Sequence, residues 1–313
     1  MRYLAIFLPL LLAACADTAP EQVVKETFGA FAGTEYRCLE WQKTKRCYYL
    51  VPPKGKPTQM VVALHPAFTS VKLTEDVSQL AKTVVPNGIA VIYPEGIDKQ
   101  WNDGRVMTEV KTYTRKTDDV GFINAVTQAV QKELGLGPAQ TLVAGMSNGG
   151  MMSLRLACQS ERYGKVATVV ANLPKDLRDS CAAKPKPMLM IFGTEDHVVD
   201  YAGGALASSG KPNTWGEVES AKDTEAFFAA RHGCDARNIV SRQLADVEID
   251  DTTAHITDYQ RCKAATLTTV HVEGMGHTWP GESSRFMAWI STRGAVSKQF
   301  NATDMLLDFV RGK

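Results

Sequence analysis

The sequence predicts an α/β fold: a mostly parallel central sheet with helices on both faces. Three observations predict it. Short β-prone runs alternate with helical patterns through most of the 313 residues, the order that parallel sheets require. The runs are apolar at nearly every position, as in strands covered on both sides. No internal repeat, low-complexity tract or second-domain linker interrupts the alternation, so one catalytic-type domain is expected.

The elements follow in order. Residues 48–51, 60–64 and 89–92 are strand candidates separated by turn residues. Val77, Leu80, Ala81 and Val84 recur at helical spacing, as do Ile123, Val126, Val130 and Leu134. Asp118 and Asp119 precede the second of these as caps, and Gly135 closes it. A strand at 141–144 leads into a helix over 149–158. Strands at 166–171, 188–192 and 267–272, a helix at 224–232 and a closing amphipathic helix carrying Met305, Leu306, Phe309 and Val310 complete the series.

The first 14 residues read as an export signal: Arg2, an apolar run over 3–12, then Ala13 and Ala14. The run is too short to span a bilayer comfortably as a helix. Leu12-Ala13-Ala14-Cys15 resembles the lipobox of bacterial lipoproteins, which implies cleavage before Cys15 and a lipid on its sulfur. The alternative is a plain secretory signal. Residues 15–34 carry Pro, Glu, Thr and Gly without a strong period and read as a tether, leaving 35–313 as the folded domain. The chain has seven cysteines; setting Cys15 aside leaves Cys38, Cys47, Cys158, Cys181, Cys234 and Cys262. Six pair completely in an oxidising compartment, and sequential pairing is the simplest arrangement.

Charge excludes some partners. Thirty-five basic residues face thirty-four acidic ones, with no basic run, so neither nucleic acid nor an anionic membrane surface is implied. A membrane would be met only through the N-terminal lipid. No His/Cys cluster has zinc spacing, and neither metal nor organic cofactor is expected.

The strongest chemical signal is Gly145-Met146-Ser147-Asn148-Gly149, between a strand and a helix. A serine on so sharp a turn needs glycines beside it, so that backbones approach closely. The turn exposes the hydroxyl and aims the Asn148 N–H at a developing oxyanion. A serine hydroxyl also needs a base. His277, in the glycine-rich stretch 274–281 after the last strand of the alternating series, is the choice among six histidines. His65 ends a strand and His197 follows an acid, so both compete; His232, His255 and His271 read as structural or surface residues. The acid is expected between serine and histidine, and Asp196 is chosen over Glu195 and Asp200. The second oxyanion donor belongs to the loop His65-Pro66-Ala67-Phe68. Proline has no N–H, leaving Ala67 or Phe68, with Ala67 preferred.

These landmarks make the chain resemble the polyhydroxybutyrate depolymerase and feruloyl esterase group of α/β-hydrolases. The resemblance runs over about residues 47–311. It rests on Leu64-His65, Tyr93-Pro94-Glu95-Gly96, Trp101-Asn102-Asp103-Gly104-Arg105, Asp118-Asp119-Val120-Gly121-Phe122, and the stretches 145–152, 193–204 and 276–281. It implies the α/β-hydrolase fold and places the family's serine, aspartate and histidine on Ser147, Asp196 and His277. The chain departs from the group at Pro66, Phe192 and Asp200, which bears on substrate preference rather than on the triad.

Trp101 and Trp279 stand as candidates for a substrate-binding wall, since an aromatic face stacks on a sugar or aryl group; core packing is the alternative for each. Asn102 and Asp103 read as supports of the Trp101 loop, and Met146, Met151 and Met152 as packing residues. The expected activity is hydrolysis of carboxylic esters, small or oligomeric, through an acyl-enzyme. An acyltransferase or peptidase on the same scaffold and a non-catalytic envelope binding protein are the rival classes.

Overall fold

The computed structural model describes residues 22–28, 31–107, 116–206, 215–235, 237–245, 249–282 and 294–313. Cys15 and the 1–14 signal lie outside them. The chain opens with a meander of antiparallel strands, β1 (Gln22–Phe28), β2 (Phe31–Trp41) and β3 (Thr44–Val51). Strand β4 (Gln59–Leu64) then leads through helices α1 (Val71–Ser78) and α2 (Leu80–Val84) to β5 (Ile89–Pro94). Helix α3 (Asp119–Leu134) precedes β6 (Thr141–Met146), helix α4 (Asn148–Gln159), β7 (Lys165–Val169) and β8 (Met188–Gly193). A short ribbon of β9 (Gly204–Ala205) and β10 (Glu217–Val218) comes before α5 (Ala221–His232). Strands β11 (Ile239–Gln243), β12 (Thr253–Tyr259) and β13 (Leu267–Glu273) and helix α6 (Ala302–Arg311) complete the order.

Eleven strands form one sheet in the order β1-β2-β3-β5-β4-β6-β7-β8-β13-β12-β11. The six from β5 to β13 run parallel, and the antiparallel strands flank them. Neighbouring residues of one strand enter opposite cores. On one face Met60, Val62, Leu64 and Val143 meet Phe122, Ile123 and Val126 of α3, Leu154 and Leu156 of α4, and Phe228 of α5. On the other, Val61, Ala63, Leu142 and Ala144 meet Leu80, Ala81 and Val84 of α2 and Leu306 and Val310 of α6. The expected parallel sheet with helices on both faces is therefore what forms.

Asp118 caps α3 through the Gly121 N–H at 2.8 Å, and Gly135 ends it in the left-handed region, as the sequence predicts. The single helix suggested by Val77 to Val84 is instead two. Gln79 is left-handed (φ 48°) between them, and the Glu75 carboxylate caps the second by accepting from the Ala81 and Lys82 N–H groups.

The tether over 15–34 needs correction. Residues 22–28 and 31–34 lie in β1 and β2, paired from Gln22 opposite Cys38 to Phe28 opposite Phe31. Backbone pairing to a neighbour, which has no period of its own, makes these residues strand.

Three disulfides join Cys38 to Cys47, Cys158 to Cys181 and Cys234 to Cys262, the sequential pattern. The first links facing residues of β2 and β3. No helix among the described residues is long and apolar enough to cross a membrane.

Cys158–Cys181 ties the end of α4 to the turn before β8, across a separation of 23 residues. Replacing both by alanine is expected to cost roughly 3 kcal/mol through freedom returned to the unfolded chain. Thermal unfolding should show the midpoint lowered by several degrees; an unchanged midpoint would contradict the stabilising role.

Candidate active site

Ser147 sits between β6 and α4 with φ 56° and ψ −125°, in a region that L-residues avoid. Such a conformation costs on the order of 1–3 kcal/mol and persists only where surroundings enforce it. The enforcement is visible. The Ser147 N–H donates to the Val169 carbonyl at 3.0 Å, and its own carbonyl accepts from Met151 at 2.8 Å. Close backbone approach does the rest. A Cβ on Gly149 would stand 2.2 Å from the Leu64 oxygen, and one on Gly145 2.3 Å from the Gly149 oxygen. Only glycine fits at either position.

Asp196 follows β8 and His277 follows β13, two adjacent parallel strands. His277 Nδ1 lies 2.7 Å from Asp196 Oδ2, with both side chains buried. Asp196 Oδ1 accepts from the Val198 and Val199 N–H groups at 2.8 and 2.9 Å. Both carboxylate oxygens are thus occupied and the group is fixed in orientation. Nδ1–H must then donate to Asp196, which puts the imidazole lone pair on Nε2. Glu195 lies at the surface near the exposed His197, and Asp200 Oδ1 accepts from the Ala202 N–H. Of the other histidines, His271 bridges Glu225 and Tyr201, and His255 lies near Glu273.

His65 shapes the loop after β4. Its Nε2 accepts from the Gly96 N–H at 2.9 Å, so Nδ1 carries the proton and donates to the Pro66 carbonyl at 2.8 Å. The Thr69 hydroxyl donates to the same carbonyl at 2.7 Å. Pro66 C=O and Ala67 N–H belong to one trans peptide, so fixing the carbonyl aims the N–H the opposite way. The Phe68 N–H is committed to the Lys99 carbonyl at 2.8 Å. Of the two donors considered, Phe68 is thereby excluded. Asn148 opens α4, where first-turn N–H groups have no intrahelical acceptor.

The Asn148 side chain has a role that the sequence reading missed. Its Oδ1 accepts from the Trp101 N–H at 2.8 Å, while Nδ2 donates to the Trp101 carbonyl and to Asp103 Oδ2. Asp103 pairs with Arg105, and Arg105 Nη1 donates to the Trp215 carbonyl at 3.0 Å. Arg155 and Asp119 hold the backbone of Asn102, and Asp119 is itself paired with Arg46. Burial pushes the Asp119 carboxyl up, and the Arg46 guanidinium pulls against it. A polar residue directly after the serine, with the Trp101-to-Arg105 run elsewhere in the chain, was the available signal.

Both tryptophans proposed as a substrate wall require correction. Trp101 is fully buried, and its indole N–H donates to the His65 carbonyl at 2.9 Å. Trp279 is buried against α6, its indole N–H donating to Thr303. Each indole satisfies its N–H inside the protein, so the rings are structural. An exposed aromatic stands in the loop after β4: Phe68, whose ring centroid lies 5.3 Å from that of Trp215. A separate groove of about 580 Å³, lined by residues including Leu189, Leu244, Phe300 and Met305, contains none of Ser147, Asp196 or His277.

Comparison with known proteins points to the esterases. No family model matches the chain. It is 28% identical over 317 aligned positions to the putative esterase NocK of Nocardia uniformis subsp. tsuyamanensis, covering 95% of this chain and 90% of that protein. It is 29% identical over 188 positions to feruloyl esterase B of Piromyces equi, covering 57% of this chain and a third of that protein's length (33%). Among solved structures, acetyl xylan esterase from Aspergillus awamori superposes with a TM-score of 0.56 at 15% identity, covering 86% of this chain and 98% of that one. That likeness establishes the fold.

His65 and His232 are buried, and burial pushes the pKa of each down from 6.5 to about 4. Between those values the unfolded chain takes up protons that the folded chain does not. Stability is therefore full above about pH 6.5 and falls as pH drops towards 4, by up to roughly 3 kcal/mol for each histidine. Urea unfolding between pH 7 and 4.5 should show a shallower dependence in His65→Asn, by about one proton. Equal slopes in variant and parent would contradict the buried neutral imidazole.

Proposed function

From the premise that this chain is an α/β-hydrolase of the esterase group, we propose that it is an exported serine esterase acting through Ser147, His277 and Asp196. The observation that carries the reading is the strained Ser147 turn, set on the same sheet as the aligned His277–Asp196 pair. Strain of this kind at a serine otherwise destabilises the protein without return.

The chemistry follows from the hydrogen bonds. Nε2 of His277 takes the Ser147 proton as Oγ attacks the ester carbonyl carbon. The carbonyl oxygen gains charge and is met by the N–H groups of Asn148 and Ala67. Asp196 holds the tautomer and stabilises the imidazolium without taking its proton. His277 then protonates the leaving alcohol, the carbon–oxygen bond breaks, and an acyl-enzyme remains. Water, deprotonated by the same imidazole, releases the acid and restores Ser147.

Three disulfides support export to an oxidising compartment. Cys15 is the proposed site of a lipid anchor. Mass spectrometry of the mature N-terminus should find diacylglycerol on Cys15, and a mature protein with an unmodified thiol there would refute the anchor. The two esterase relatives support carboxylic esters as the substrate class, with feruloyl esters among them.

Hydrolysis of short-chain p-nitrophenyl esters and methyl ferulate tests the central reading. Ser147→Ala should lower kcat by a factor on the order of 10⁶ if the three residues act together, and Asp196→Asn by about 10⁴. Equal rates in Ser147→Ala and the parent would remove Ser147 from the mechanism.

A further inference from the structure

Phe68 combines features that packing does not explain. The residue is 52% exposed, and its backbone is held in the left-handed region at φ 62°. That region is unfavourable for a bulky side chain. Its N–H is nonetheless fixed on Lys99, and the preceding peptide is fixed by His65 and Thr69. The ring therefore stands in a set direction one residue beyond Ala67.

Trp215 faces it from another segment, with the two planes inclined at 40°. The Trp215 carbonyl is held by Arg105. Its side chain packs on a small apolar cluster containing Met151 and Val199. Met151 lies in the first turn after Ser147, and Val199 donates its N–H to Asp196. The aromatic pair is thus joined to both the serine and the acid segments. Val106, half exposed, has its carbonyl against Gly216, the residue after Trp215. Phe68 and Trp215 thus bring apolar surface from two segments to one place, with Phe68 one residue beyond the proposed oxyanion donor.

Resting on the esterase reading, we propose that Phe68 and Trp215 are the specificity-determining residues of this site and bind a planar aromatic ring carried by the acyl group of the ester. Phe68 offers a π-face and no hydrogen-bonding group, so it favours a planar apolar moiety over a hydroxylated one. The two rings touch each other and leave part of the Phe68 residue exposed, so an aromatic ring lies against the exposed side of Phe68 while the ester carbonyl reaches Ala67. The fixed loop couples the two contacts. Binding of the ring helps to place the carbonyl, which is how remote contacts assist the reacting centre.

The test compares methyl cinnamate with methyl acetate, which share a leaving group, in the parent, Phe68→Asn and Phe68→Trp. Asparagine tolerates the left-handed backbone, so the loop is retained while the ring is removed. The ratio of kcat/KM for cinnamate to that for acetate should fall about tenfold in Phe68→Asn and return in Phe68→Trp. Taking the ratio cancels any general effect on the oxyanion loop, and an unchanged ratio would overturn the proposal. Equilibrium binding of methyl cinnamate to Ser147→Ala, with and without Phe68→Asn, reads the subsite without turnover. Weakening of about tenfold supports the subsite even if no ester is hydrolysed, in which case the hydrolase reading alone fails; equal binding overturns the subsite.

Discussion

The site depends on one steric constraint, the approach of the start of α4 to the end of β4. With the Leu64 oxygen 2.2 Å from where a Gly149 Cβ would stand, no other residue fits there. That approach bends the chain at Ser147 into φ 56° and brings Asn148 within reach of the Trp101 backbone. Asn148 then fastens the turn to the Trp101-to-Arg105 run, and Asp119, Arg46 and Arg155 fasten that run to the core. A glycine contact of this kind provides little energy by itself. It admits a geometry that a network of buried charges and amides then holds.

Parallel strands explain why residues distant in sequence come to the same end of the sheet. Ser147, Asp196 and His277 each lie just beyond the carboxyl end of a strand, in β6, β8 and β13. Only β7 separates the first two strands, and the last two are neighbours. The same edge of the sheet receives the loop after β4, with His65, Ala67 and Phe68. Loops carry the proposed catalytic residues, while the sheet fixes their spacing.

Much of this was legible because it is written in local pattern. Apolar runs such as 60–64 and 188–192 are strands buried on both faces, and Asp118 and Gly135 mark the ends of α3. The cysteines pair sequentially, and Asp196, chosen ahead of Glu195 and Asp200, faces His277. What was not legible depends on partners far along the chain. Strand β11, exposed throughout, has no apolar period, and β1 takes its place only by pairing with β2. The tryptophans mislead for the same reason. Sequence shows that Trp101 and Trp279 lie near motif residues, but not that the His65 carbonyl and Thr303 lie inside to receive their N–H groups. The exposure and positive φ of Phe68 likewise have no sequence signature at phenylalanine.

The most direct test of the account is covalent labelling with a fluorophosphonate followed by peptide mapping. The strained turn and the His277–Asp196 pair predict one phosphonyl group per chain, on Ser147, with labelling slowed strongly in Asp196→Asn. Stable modification at another residue, or a folded protein that takes no label at all, would contradict Ser147 as the nucleophile.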